Sequence, residues 1–424
     1  MKKLLNVLFL LFFLSTQLQA ANCFGGRYID SVFQKADVTR GITYARKQQS
    51  DGFYIDLKYD VYEPQGDTLA QRPVMFLIHG GAYLKLLDQS SPDIVLLCNY
   101  FVKRGYVAVS IDYRQEPNPL SLLSEEQMVK AVSRALLDTK EAVDHLVRTY
   151  QNGNPYRIDT SRAFLGGVSA GAVSSMFIGF LDSLTQLSPQ YQNWIIQANG
   201  PESDSILRHR FDLVKPKAII SISGALLDTS WINTRNIDIL LVHGSQDEIV
   251  PYNFGHPLNI QALPMLYGGK AMYPRLISQD IRTEFDDWIG RGHVPFLNLD
   301  QGLNLINYPI LDSTERHIAR FCYPLLGCDN LSAIVEQAAV ASLTIFPNPS
   351  NGQLKLLLPK YNSKNKWSLI VYDINGKEQY KNEIPGGGLE FFIPQKLSQG
   401  TYYFILQEME ETTNIKYIGT AVIM

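Results

Sequence analysis

The sequence predicts an α/β domain, a mainly parallel sheet flanked by helices, followed by a small all-β sandwich domain. Three observations predict it. Continuous apolar runs such as Val74–Ile78 and Val107–Ile111 alternate with helix-compatible stretches, as in strands buried on both faces by crossover helices. Ala163-Phe164-Leu165 leads into Gly167-Val168-Ser169-Ala170-Gly171, the pattern of a sharp strand-to-helix turn with a serine at its tip. From Thr344 onward the pattern becomes short strand candidates separated by turn dipeptides.

The 424 residues are enough for two or three domains. Lys and Arg total 38 against 41 Asp and Glu, for a net charge of −3. That balance, with no basic run, argues against a nucleic-acid partner. Residues 1–20 read as a secretory signal peptide: Lys2 and Lys3, a short apolar run from Leu4 to Leu14, and a small-residue end at Leu18-Gln19-Ala20. The run is about half of what a membrane span needs, and no later segment is long and apolar enough to cross a bilayer. A lipid anchor on Cys23 is disfavoured by Asn22 before it. An exported chain meets an oxidising compartment, where disulfides persist. Of Cys23, Cys98, Cys322 and Cys328, the pair flanking Tyr323–Gly327 is the expected bridge, Cys322 to Cys328. No C-x-x-C or H-E-x-x-H occurs, so neither a zinc or other metal site nor a redox motif is signalled.

In chain order, Phe53–Tyr62 shows the partial alternation of a strand near a sheet edge, and Val74–Ile78 is the first fully buried strand. Ile94–Arg104 has helical periodicity and stops at Gly105. Val107–Ile111 is the next buried strand. Ser124 opens a long helix to Tyr150, with Gln127 at capping-box spacing. Asn152-Gly153-Asn154-Pro155 ends it. Strands at Ala218–Ser223 and Ile237–Val242 continue the alternation, and Phe296–Tyr323 reads as a closing helical segment. Leu184–Lys215 and Tyr252–Gly292 are long inserts that read equally as lids, pocket walls or packed surface. The domain reading is 21–327 for the first domain, a linker over 328–342, and 343–424 for the second.

A serine at such a turn needs a base, a group that orients the base, and donors for an oxyanion. By chance alone, G-x-S-x-G arises in roughly one chain in ten of this length, so the partners carry the weight. Asp247 follows the strand ending at Val242 and sits at the carboxyl edge of the sheet, where reactive groups gather. Glu248 is its nearest rival, and Asp286 and Asp287 are weaker for want of a clear strand link. His293, in Arg291-Gly292-His293-Val294-Pro295, is the expected base, with His256 as its competitor. His79 and His243, at strand ends in tight glycine turns, read as structural. His79-Gly80-Gly81-Ala82-Tyr83 follows a strand directly, so the amides of Gly81 and Ala82, with that of Ala170, are the expected oxyanion donors. Tyr83 is a candidate substrate-lining residue.

Residues from about 45 to 325 resemble the α/β-hydrolase fold. His79-Gly80-Gly81-Ala82, Asp112-Tyr113-Arg114, Gly167–Gly171 and Asp247–Pro251 look like its carboxylesterase/lipase branch. The resemblance implies ester hydrolysis through an acyl-enzyme, no cofactor, and a structural role for Asp112-Tyr113-Arg114. Two departures stand out: Ala82 occupies the fourth position of the oxyanion turn, and no final strand is recognisable before His293.

The tail also resembles a family. Phe346-Pro347-Asn348-Pro349, Val371-Tyr372-Asp373, Asn375-Gly376-Lys377, and Leu397 with Gly400 and Tyr402 look like the C-terminal sorting domain of the type IX (Por) secretion system. That resemblance implies export to the outer-membrane exterior, with the secretion machinery as partner. The expected function is a secreted serine ester hydrolase acting on a small or polymer-derived ester. The alternatives are an amidase or peptidase on the same fold, and a non-catalytic surface-binding protein.

Overall fold

The computed structural model describes residues 23, 26–208, 213–233, 237–298, 306–328, 340–346, 350, 354–357, 366–373, 377–384, 390–393, 397–408 and 416–423. The signal segment and most of the expected linker lie outside them. The chain divides into two compact units, residues 22–326 and the region from Gly327 onward.

The first unit is built on an eight-stranded sheet: β1 (Ala36–Gln48), β2 (Tyr54–Pro64), β3 (Arg72–Ile78), β4 (Val107–Ile111), β5 (Ile158–Val168), β6 (Ala218–Ile222), β7 (Asp238–Gly244) and β8 (Thr283–Trp288). Their order across the sheet is β1-β2-β4-β3-β5-β6-β7-β8. β1 and β2 pair antiparallel, as do β2 and β4, and the remaining pairs are parallel. Every residue of β3, β4 and β6 is buried, which is why these strands read as unbroken apolar runs. Among the described residues, seven helices flank or cap the sheet: α1 (Pro92–Lys103), α2 (Glu125–Gln151), α3 (Ala170–Phe180), α4 (Pro189–Asn199), α5 (Ser203–Arg208), α6 (Gly269–Ser278) and α7 (Tyr308–Cys322).

Four expectations need correction. Ser124 is the N-cap of α2, but its side chain makes no capping bond; Glu125 and Glu126 place negative charge in the first turn instead. The closing helix is confined to Tyr308–Cys322. The Asn307 side chain accepts from the Ile310 amide and starts it there, and Leu297 and Ile306 pair in a bridge before it. A final strand does precede His293: Thr283–Trp288 pairs in parallel with β7 from Thr283 opposite Ile239 to Trp288 opposite Gly244. It is an edge strand in which only Thr283 is buried, so it carries Glu284, Asp286 and Asp287 and shows no apolar run. The disulfide-bonded cysteines are Cys23 and Cys328, while Cys98 and Cys322 are buried free thiols. Cys322 belongs to the inward face of α7 and packs in the core, and burial pushes its thiol pKa up.

The second unit has a five-stranded sheet and a three-stranded sheet. The larger one pairs Val340–Ser342, Lys416–Ile423, Gly400–Glu408, Trp367–Asp373 and Glu378–Ile384 in that order; the smaller one pairs Thr344–Phe346, Lys355–Leu357 and Glu390–Phe392. Inward residues of both sheets, among them Ile345, Leu356, Trp367, Leu369, Phe404 and Leu406, form one apolar core. The expected turn dipeptides Asn351-Gly352 and Asn375-Gly376 and the run Gly386–Gly388 lie outside the described residues.

Candidate active site

The parallel strands end together, and the candidate side chains stand on the loops that leave those ends. β5 passes into α3 through Ser169, whose backbone has φ 54° and ψ −119°. This strained conformation is held by its surroundings: the Ser169 amide donates to Ile222 O at 2.8 Å, and its carbonyl accepts from Val173. The glycines are demanded by crowding. A Cβ on Gly171 would stand 2.1 Å from the Ile78 carbonyl oxygen, and one on Gly167 would stand 2.4 Å from the Gly171 carbonyl carbon.

Three of the expected residues meet in one hydrogen-bonded chain. His293 Nε2 lies 2.8 Å from Ser169 Oγ, and His293 Nδ1 lies 2.8 Å from Asp247 Oδ2. A carboxylate only accepts, so Nδ1 carries the proton and the bare Nε2 accepts from the serine hydroxyl. The Asp247 side chain is fully buried. Its Oδ1 accepts from the Ile249 and Val250 amides, each at 2.9 Å. Burial acts to raise its pKa, but hydrogen bonds from His243 and His293 hold the carboxyl well below the usual range, so it stays ionised.

Residues that sequence reasoning treated as structural, or passed over, support this chain. His243 Nδ1 accepts from the Gly269 amide at 3.2 Å, which leaves Nε2–H to donate to Asp247 Oδ2 at 3.1 Å. One carboxylate oxygen thus receives two imidazole donors. The Val294 amide donates to Ser223 Oγ at 3.0 Å, and Gln246 N–H donates to Arg291 O at 2.9 Å, which fixes the loop carrying His293. That loop crosses so close to β7 that a Cβ on Gly244 would stand 2.2 Å from Gly292 O. The available signals were His243-Gly244 and Ser223-Gly224, each a polar residue and a glycine ending a buried strand.

The rivals lie elsewhere. His256 Nδ1 donates to Leu263 O at 2.6 Å, and Glu248 is exposed. Asp287 accepts from the Tyr252 hydroxyl at 2.8 Å, and Asp286 stands 3.5 Å from His317.

The His79–Tyr83 turn runs beside the serine. Gly81, Ala82 and Tyr83 have φ of 106°, 54° and 62°, and a Cβ on Gly80 would stand 3.2 Å from Ser169 Cβ. Tyr113 stacks on His79, with ring centres 4.4 Å apart, and its hydroxyl donates to the carbonyls of His79 and Gly80 at 3.1 Å. Asp112 faces His79 Nε2 at 3.3 Å, and Arg114 forms a buried fork with Asp138. Tyr83 is buried, and its hydroxyl donates to Ala170 O at 2.8 Å. Ala82, Tyr83, Ser169 and Ala170 border a cavity of about 110 Å³. Both long inserts wall it, through Leu187, Tyr191 and Ile195 and through Pro257, Leu258 and Leu266. Among the described residues no cluster of His, Cys, Asp and Glu suits a metal ion, and no helix is long and apolar enough to cross a membrane.

Residues 59–206 match the BD-FAE family, and residues 344–419 match the secretion system C-terminal sorting domain. The chain joins an esterase-like α/β-hydrolase domain to a secretion sorting tail. The tail marks it for export and cell-surface attachment. The α/β-hydrolase is similar to Thermogutta terrifontis esterase 2 phosphorylated by paraoxon, at 19% identity over 68% of this chain and 94% of that one, with a TM-score of 0.44. The propionate-bound form of that esterase is 18% identical over 70% of this chain and 97% of its own, with a TM-score of 0.45. A truncated carbohydrate esterase from gut microbiota is 15% identical over 70% of this chain and 98% of its own, with a TM-score of 0.42. A 125-residue segment is 28% identical to part of a non-reducing polyketide synthase of Acremonium egyptiacum; it covers 29% of this chain and 5% of that relative's length.

Proposed function

We propose that this protein is a secreted serine ester hydrolase in which Ser169 is the nucleophile, His293 the base and Asp247 the group that orients it. The carrying observation is the continuous hydrogen-bonded chain from Ser169 Oγ through His293 to Asp247. Ser169 Oγ attacks the ester carbonyl carbon and its proton passes to His293 Nε2. The amides of Gly81, Ala82 and Ala170 hold the oxyanion that forms. Collapse breaks the bond to the alcohol oxygen, which takes the proton from His293 and leaves, so that the acyl group stays on Ser169. A water then gives a proton to His293 and attacks the acyl carbon. The carboxylic acid departs, and the serine regains its proton. Asp247 stabilises the imidazolium in both halves, and His243 keeps Asp247 oriented. Tyr113, hydrogen-bonded to two carbonyls of the oxyanion turn, holds that turn in place. The sorting tail is the segment that the type IX machinery engages.

The test is hydrolysis of p-nitrophenyl esters by the mature protein beside Ser169→Ala and Asp247→Asn. The serine variant should lose at least about 10⁴-fold in kcat and the asparagine variant about 10⁴-fold. Ester hydrolysis that survives in Ser169→Ala would refute the assignment.

A further inference from the structure

We propose that the cavity beside Ser169 is an acyl slot for a linear aliphatic chain of about seven to eleven carbons; this rests on the serine-hydrolase reading above. Its shape comes from two helices. Ser169, Val173, Phe177 and Leu181 all border it, at a spacing of four, so the cavity follows one stripe of α3 away from the nucleophile. Three such steps span roughly 16–18 Å along the helix axis. Met128, Val129, Val132, Ser133 and Leu136 repeat the pattern on α2, which packs against α3. One largely apolar stripe from each helix thus borders the cavity, and the stripe on α3 starts at the serine.

The volume sets the length of the occupant. One water-sized group needs about 10–15 Å³ of such space, so about 110 Å³ takes roughly seven to eleven methylene-sized groups.

The lining sets the chemistry. Beyond Ser169, its hydroxyls are already engaged. Tyr83 donates to Ala170 O and Ser133 donates to Lys130 O, each at 2.8 Å, and Tyr191 donates to Glu125. A sugar or hydroxylated aromatic acyl group would bury polar atoms against Val, Leu and Phe side chains, whereas an aliphatic chain would bury none. Leu258 stands at the mouth: it borders the cavity, is 45% exposed, has φ 55°, and its amide donates to Ile249 O beside Asp247.

The experiment has two arms. In the first, the mature protein is assayed on p-nitrophenyl esters from acetate to palmitate and on an ester of a hydroxylated aromatic acid. Each methylene that enters the slot should raise kcat/KM by up to about fourfold, with at least about a tenfold total gain from acetate to octanoate and a fall by palmitate. Val132→Trp should lower the octanoate-to-acetate ratio at least about tenfold, and Leu136→Ala should move the optimum to longer chains. An acetate optimum, a flat series, or preference for the aromatic ester overturns the slot. The second arm needs no catalysis. Decanoate should raise the Tm of Ser169→Ala by several degrees, and Val132→Trp should remove that rise. No rise overturns the slot. A wild-type protein inert to every ester whose Ser169→Ala form is still stabilised by decanoate would instead overturn the hydrolase reading and leave the slot standing.

Discussion

His243 and Asp247 are joined Nε2 to Oδ2 at 3.1 Å, on the same oxygen that His293 Nδ1 reaches at 2.8 Å. His243 is 1% exposed and receives the Gly269 amide on its other nitrogen, so its tautomer is set by the backbone. His243→Leu should therefore lower kcat by about 10- to 100-fold with KM changed by less than about threefold, since a charged acceptor loses one donor. His243→Gln, whose amide N–H can donate, should recover part of the loss. Active-site titration decides the point: a merely structural role would reduce the titrated fraction and leave kcat per titrated site intact.

The bond from the Val294 amide to Ser223 Oγ holds a loop whose Val294 has φ 52°, a conformation disfavoured for a β-branched residue. Ser223→Ala removes the acceptor and should lower kcat about tenfold, with a Tm loss of a few degrees. Ser223→Thr, which keeps a hydroxyl, should fall between. Parallel kinetics and melting curves on the three proteins check this.

The elbow glycines respond to backbone geometry, so their variants should fail before chemistry is reached. Gly171→Ala drives a Cβ against the Ile78 and His79 carbonyls at 2.1 and 2.7 Å, and strand and helix must separate to admit it. The expected cost is about 4 kcal/mol or more. Gly153→Ala, with no atom within 4 Å of the added Cβ, meets only the positive-φ penalty and should cost about 1 kcal/mol. Denaturant titration of both variants measures the contrast.

Glu315 gives stability a pH dependence of its own. Burial in α7 pushes its carboxyl up to about 8, with Arg104 opposing, Asp312 adding and Lys103 opposing. The folded value is raised, so the contribution is fully present below the unfolded value near 4.5 and is lost as pH rises towards 8. Glu315→Gln should match wild type near pH 4.5 and exceed its Tm by several degrees at pH 8.5. A Tm gap that does not change with pH would contradict this.

The legible parts of the molecule are those where one local cause dominates. β3, β4 and β6 are buried on both faces, so their apolar runs leave little choice. The candidate site was legible at Ser169, Asp247 and His293 because each lies in a turn next to glycine or just past a buried strand. β8 was missed because an edge strand tolerates Glu284, Asp286 and Asp287 along its length. β1 was missed for the same reason, being largely solvent-facing over 13 residues. The cysteine pairing was misread because sequence spacing says nothing of the α7 face that buries Cys322. His243 and Ser223 were hidden because their roles depend on a loop contributed by residues about 50 to 70 positions later in the chain.

The most direct test of the central claim is covalent. The mature protein would be treated with a fluorophosphonate, weighed intact, and digested to locate the adduct, with Ser169→Ala and His293→Ala alongside. The account predicts one stoichiometric phosphonyl adduct on Ser169, none on Ser169→Ala, and labelling slowed by about 10³-fold or more in His293→Ala. An adduct on another residue, or equal labelling of Ser169→Ala, would contradict it.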